Sequence, residues 1–280
     1  MKLVLGTVQL GLDYGISNNQ GQVTKSQASN ILQTANEIGI TTFDTAAAYG
    51  NSESLLGSLL PQNSKIISKL PPELKHTDNL NKEMLSSLQK LQKDEIYALM
   101  LHDADVLIQY PEISKKLQKI KLSGKIQKIG VSFYFPEQLE ACLNMDLDII
   151  QIPINILDQR FLASDLLKKV KQKGIEIHVR SAFLQGLLLM KTEGLSNYFN
   201  KFSILKQLET ELSDKSINKL NACVGFVKSI KEIDALVVGC CHSSELIEIH
   251  QAFANAAPFD GSLYSSQDLN LIYPANWPQE

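Results

Sequence analysis

Eight times along this chain a short apolar or β-branched run is followed by a polar turn and a helical pattern. The runs read as strands near Leu3–Thr7, Thr41–Asp44, Lys65–Ser68, Ile96–Leu101, Ile126–Val131, Asp148–Ile152, Ile175–Val179 and Ala235–Val238. Helices are expected near Lys25–Ile38, Ser52–Leu60, Asn79–Leu91, Ile113–Ser123, Pro136–Leu143, Ala163–Lys173, Asp214–Ser229 and Ser244–Asn255. Gly39, Gly124 and Gly174 stand where helix C-caps belong, and Thr24, Asp78 and Ser243 where N-caps belong. Such alternation implies parallel strands joined by right-handed crossovers. An open doubly wound sheet is the competing architecture, but no Gly-x-Gly-x-x-Gly follows the first strand; Gly6, Gly11 and Gly15 have the wrong spacing. Eight similar units in a chain of 280 residues favour a closed (β/α)8 barrel.

One catalytic domain is therefore expected over residues 1–280. Two segments fall outside the eight units. Residues 191–212, after the seventh strand, read as a partly helical insertion and a candidate lid; residues 256–280 form a tail carrying Phe259, Tyr264, Tyr273 and Trp277. The tail packs either near the mouth or on the outer wall. A net charge of −3 argues against a nucleic-acid surface, and no long apolar span points to a membrane. Met1-Lys2-Leu3-Val4-Leu5-Gly6 leads into a strand rather than a signal peptide, and four cysteines are too few for a disulfide framework. A cytoplasmic protein with reduced thiols is the expectation.

In a barrel of this kind, residues at the C-terminal ends of strands converge at one mouth. Asp44 ends the second strand, Tyr49 lies in the following loop, Lys69 ends the third strand and His102 the fourth. A tyrosine, with an ordinary pKa of about 10, becomes a useful acid only beside a cation or a proton relay. Lys69 would favour the Tyr49 phenolate, Asp44 would hold Lys69 charged, and His102 would donate to a substrate oxygen. A phenol so placed suits protonation of an oxygen while hydride arrives at carbon; no side chain can supply hydride, so this reading requires a nicotinamide cofactor.

These residues resemble the catalytic tetrad of the aldo-keto reductases, in order and in strand position. The run Phe43-Asp44-Thr45-Ala46 to Tyr49-Gly50 and Ser52-Glu53 is similar to that family's most specific signature. Further matches are Leu5-Gly6-Thr7, Gly130-Val131-Ser132, Gln151, and Arg180-Ser181 to Gly186-Leu187. The resemblance covers nearly the whole chain and implies NADPH or NADH bound extended across the mouth, with a small carbonyl or alcohol as substrate and no metal. It places Gly6, Thr7 and Asp44 beside the cofactor, and Ser132 and Gln151 on the nicotinamide carboxamide. Ser181, Leu184 and Gly186 would lie along the pyrophosphate. Arg180 stands where many members put a tyrosine against the nicotinamide; it either stacks there or pairs with a carboxylate.

The chain departs from the family pattern at two places. Phe133 replaces an asparagine, and around Gly239, Cys240 and Glu245 the basic residues that grip a 2′-phosphate in NADPH-preferring members are absent. Glu245 either accepts from a free ribose hydroxyl, favouring NADH, or serves as a first-turn helix acid. A polyhydroxylated substrate is an alternative, with Asp13, Tyr14, Asp103 and Asp158 offering a polar mouth. A cofactor-binding regulatory subunit with little turnover is the alternative outside enzymes. Metal readings of His102-Asp103-Ala104-Asp105 and of Cys240, Cys241 and His242 lack ligands in suitable geometry. Oligomeric state is not legible.

Overall fold

All eight runs are strands: β1 (Lys2–Gly6), β2 (Thr42–Asp44), β3 (Lys65–Leu70), β4 (Ile96–Leu101), β5 (Ile126–Ser132), β6 (Ile149–Pro153), β7 (Glu176–Arg180) and β8 (Ala235–Val238). They pair in parallel in chain order, and β8 returns to β1 with Val237 opposite Val4, so the barrel closes. This computed structural model describes residues 1–72 and 79–278; the cap expected at Asp78 lies outside them. Each strand is followed by a main helix, some with short extra ones: α1 (Lys25–Glu37), α2 (Ser52–Leu59), α3 (Leu80–Leu91), α4 (Glu112–Leu122), α5 (Pro136–Cys142), α6 (Leu166–Gln172), α7 (Lys219–Lys228) and α8 (Ser243–Asn255).

The local signals explain most boundaries. Thr24 caps α1 through a box with Gln27, two orphan donors being satisfied reciprocally. Gly39, Gly124 and Gly174 take positive φ after their helices. At α8 the cap is His242, not Ser243, because the Glu245 carboxylate accepts from the backbone N–H groups of Cys241 and His242. The helix expected over Asp214–Ser229 starts later, at Lys219, and a separate helix precedes it. That helix spans Ser203–Asp214; Ser216 then turns left-handed, and Asn218 starts α7 by accepting from the N–H groups of Leu220 and Asn221. The strong cap outweighs continuous helical propensity.

Strand alternation sorts the core. The large apolar cluster lies between strands and helices, as with Phe43, Ile66, Leu99 and Ile150. Inside the barrel, smaller groups fill the middle: Ile67, Ala98, Met100 and Ile149, with Val4, Ala235 and Val237 beside them. Two residues further along several of these strands come Gly6, Lys69, His102 and Gln151. Period two therefore points them inward at the C-terminal mouth.

The insertion is more helical than expected, and none of residues 191–212 lines the cleft described below. It packs instead on the tail: Phe199 meets Trp277 with ring centres 4.9 Å apart, and Tyr198 Oη donates to the Asn270 carbonyl at 2.7 Å. The tail itself runs along α7, where the Ala257 carbonyl presses on Gly225, and ends at the mouth, where Tyr273 meets Tyr134 and Phe135. Both locations expected for the tail are occupied.

The opposite end is floored by charge. Glu176 accepts from Tyr97 Oη at 2.8 and 2.9 Å and pairs with Lys128 at 2.6 Å. Burial works against this carboxylate, but His178, Lys128 and Tyr97 hold it well below the usual range. A depressed carboxylate stabilises the fold above the unfolded-chain pKa of about 4.3, and that contribution disappears as pH falls through the folded value. Glu176→Gln is expected to lower unfolding free energy at pH 7 by roughly 1–3 kcal/mol, with a smaller deficit below pH 4, measured by urea denaturation.

Candidate active site

The signature run owes its shape to buried hydroxyls. Thr45 Oγ1 donates to Ser52 Oγ at 3.1 Å; Ser52 Oγ lies 2.8 Å from Thr7 Oγ1, which donates to the Asp44 carbonyl at 3.0 Å. Glu53, 1% exposed, accepts from Ser68 of β3 at 2.6 Å. These contacts lock β1, β2, β3 and the start of α2 together, so Thr45, Ser52 and Glu53 are scaffold around the chemistry. The loop is also pinched from outside. A Cβ at Gly11 would lie 1.8 Å from the Tyr49 carbonyl oxygen, and Gly50 at φ +52 sits against the Gly11 carbonyl. Only glycine permits that approach, which sets the position of Tyr49.

Lys69 is 1% exposed, and its ammonium donates to Asp44 Oδ1 at 2.5 Å and to the Thr45 carbonyl at 3.2 Å. The second Asp44 oxygen accepts from Gln151 Nε2 at 2.8 Å. Lys69 Nζ stands 5.4 Å from the Tyr49 ring centre, over its face, and His102 meets that ring edge-on with centroids 5.7 Å apart. All four expected catalytic side chains therefore line one cleft of 520 Å³ at the mouth.

Their electrostatics differ from the expectation in one respect. Burial, then the Asp44 carboxylate, raise the Tyr49 phenol well above its ordinary value, with Arg180 opposing them. The Lys69 charge, bound to Asp44 and facing the ring, does not bring the phenol down. Tyr49 thus keeps its proton at neutral pH. Burial and the charges of Lys69 and Arg180 push His102 down to about 4, so it is a neutral donor or acceptor. Burial also raises Tyr14, to about 12.

From this chamber the cleft runs past β1 and β8 to the first turns of α8. Gly6, Thr7, Asp44, Ser132, Gln151, Arg180, Ser181, Gly186, Gly239, Cys240 and Glu245 all line it. Leu184 does not: its side chain is 1% exposed and belongs to the core. Ser181, Leu184, Gln185 and Gly186 all have positive φ, a run of left-handed backbone of the kind held at ligand sites. Asn155 braces this loop by donating to the Ser181 carbonyl at 3.0 Å.

Arg180 forms no ion pair among the described residues. It donates to Ser132 Oγ and Ser181 Oγ, each at 3.3 Å, and to the Phe133 carbonyl at 3.2 Å. Its guanidinium stacks on Tyr134 at 4.1 Å, a partner that sequence reasoning missed because Tyr134 lies beyond the matched Gly-Val-Ser motif. Phe133 is fully buried. Of the proposed polar mouth, Tyr14 lines the cleft, while Asp13 and Asp103 do not. Asp158 is buried and clamped by Arg160 through two bonds of 2.8 Å.

The donor set fits an extended dinucleotide. The cleft is long and polar at both ends, and Gln9 Oε1, buried in its wall, has no partner among the described residues.

The model of the aldo/keto reductase family matches residues 2–257. Aldo-keto reductase YhdN of Bacillus subtilis is 27% identical over 187 residues, 61% of this chain and 56% of that protein. The NADH-specific methylglyoxal reductase of Escherichia coli is 27% identical over 220 residues, 67% of this chain and 65% of that protein. The chain thus spans somewhat over half the length of these curated relatives. Among solved structures, the holo form of an aldo-keto reductase from Bacillus halodurans superposes with a TM-score of 0.75 at 21% identity, covering 94% of this chain and 89% of that one. Its likeness bears on the fold, and the family match on descent: this chain belongs to the aldo/keto reductase family.

Proposed function

We propose that the protein is an NAD(P)H-dependent oxidoreductase that interconverts a small carbonyl compound and its alcohol. The observation that carries this reading is the buried Lys69–Asp44 pair beneath a protonated Tyr49 in an open cleft. Bound along that cleft, a nicotinamide dinucleotide would supply the hydride. Ser132 and Gln151 are positioned to orient its carboxamide, and the left-handed loop from Ser181 to Gly186 to meet its pyrophosphate.

The chain's own groups handle the proton. Tyr49 Oη donates its proton to the substrate oxygen as negative charge develops there, and accepts one back in the oxidative direction. The Arg180 charge then stabilises the phenolate that remains. Asp44 orients Lys69, and neutral His102 donates a hydrogen bond to the same oxygen. Because His102 titrates near 4 and Tyr49 far higher, neither charge state changes between pH 5 and 8. An intact tetrad speaks against a regulatory subunit without turnover.

Glu245 supports NADH over NADPH. Its carboxylate already fills the N–H groups at the start of α8, the place a phosphate would otherwise occupy, and it lines the cleft. The Escherichia coli relative named as NADH-specific agrees with that preference.

Two outcomes test the reading. Tyr49→Phe should lower kcat for carbonyl reduction by at least about 100-fold while NADH affinity, followed by fluorescence quenching, stays close to wild type; undiminished turnover would refute the assignment. Wild-type protein should bind NADH at least about 10-fold more tightly than NADPH, and Glu245→Gln should narrow that gap. Equal affinities would contradict the role given to Glu245.

A further inference from the structure

The cleft wall holds a polar group with no task in the proton chemistry, the side-chain amide of Gln9. Its Oε1 is buried and has no hydrogen-bond partner among the described residues. Such an acceptor costs the fold free energy, which a donor brought in along the cleft recovers. An apolar side chain of the same length would avoid the cost altogether.

The backbone beneath the amide is shaped to receive it. Gly239, directly after β8, faces the end of the Gln9 side chain. A Cβ there would lie 2.4 Å from Oε1, 2.7 Å from Nε2 and 2.9 Å from Cδ. Gly239 does not have a left-handed φ, so its backbone conformation makes no demand for glycine. What position 239 requires is space for the amide to lie and swing over a bare Cα. The other end of the side chain is fixed. Gln9 sits in a single helical turn, Val8–Gly11, and its carbonyl accepts from the Val23 N–H at 3.0 Å. Thr7, just before the turn, donates to the Asp44 carbonyl, and Gly11 closes the turn against Tyr49. An amide on a base anchored in this way meets a ligand with little further ordering cost.

The position of Gln9 selects its partner. It lies where the cleft passes β1 and β8, between the Tyr49 chamber and the start of α8. An unpaired carbonyl oxygen there needs an O–H or N–H donor. The phosphates of a dinucleotide only accept at neutral pH, whereas the riboses on either side of them carry hydroxyls that donate.

We infer that Gln9, seated over Gly239, is a cofactor-binding residue whose Oε1 accepts a hydrogen bond from a ribose hydroxyl of the dinucleotide. This rests on the oxidoreductase reading above and adds to it a contact in the middle of the cleft. The hydroxyl is either the adenosine 2′-hydroxyl, which NADPH carries as a phosphate, or one that NADH and NADPH share.

The test measures Kd for NADH and NADPH by fluorescence quenching in wild type, Gln9→Met, Gly239→Ala and the double variant. Gln9→Met keeps the length of the side chain and removes the acceptor. It should weaken NADH by about 3- to 10-fold, the size of one hydrogen bond, without lowering Tm. Gly239→Ala displaces the amide and should produce a similar loss. The double variant should lose little more than either single one, because both remove the same contact. A Gln9→Met loss confined to NADH assigns the adenosine 2′-hydroxyl, and equal losses for both cofactors assign a shared one. Affinities of Gln9→Met equal to wild type for both cofactors overturn the proposal and leave the oxidoreductase reading standing. Losses that add in full in the double variant also overturn it, since Gly239 would then act independently of Gln9. Wild-type protein that binds neither dinucleotide overturns the oxidoreductase reading and the proposal together.

Discussion

An ammonium group 1% exposed inside a barrel is the constraint on which the site depends. Burying it alone would be prohibitive; Asp44 meets it at 2.5 Å and the Thr45 carbonyl accepts a second bond. That requirement reaches outward. Asp44 must be aimed, so Gln151 donates to its free oxygen from across the barrel, and Thr7 holds its backbone. The Thr7–Ser52–Thr45 hydroxyls then keep the following loop in register, and the loop carries Tyr49.

The pair's near-neutral sum has a chemical consequence. A free lysine beside Tyr49 would lower the phenol; one bound to Asp44 leaves burial in control, and the phenol stays protonated. His102 is driven the other way, to about 4, by burial and by the two nearby cations. The chamber thus holds neutral proton-bearing groups at Tyr49 and His102, from which a carbonyl oxygen can accept, beside the Arg180 charge.

Much of this was legible because strand periodicity does the placing. The eight alternations implied the closed barrel, and the residues at successive strand ends, Asp44, Lys69 and His102, necessarily converge at its mouth. What escaped depended on contacts between segments distant in sequence. Asp158 looked like a mouth residue until Arg160, two positions on, claimed it. Leu184 turned into the core where the left-handed Ser181 and the left-handed run Leu184–Gly186 reverse the loop, which no local pattern announces. Tyr134 and Tyr273 meet across 139 positions of chain, and the helix expected from Asp214 begins only at Lys219, after the left-handed Ser216. The scaffold role of Ser52 and Glu53 was likewise hidden inside a motif that reads as catalytic.

The central claim is that the Lys69–Asp44 pair holds Tyr49 in place as the protonated acid for hydride-coupled reduction. Lys69→Met keeps the stem's bulk and removes the charge, so single-turnover NADH oxidation, followed by absorbance after mixing with a carbonyl substrate, reads the claim directly. The account predicts a fall of at least about 100-fold in the single-turnover rate with NADH affinity little changed. A rate close to wild type would contradict it.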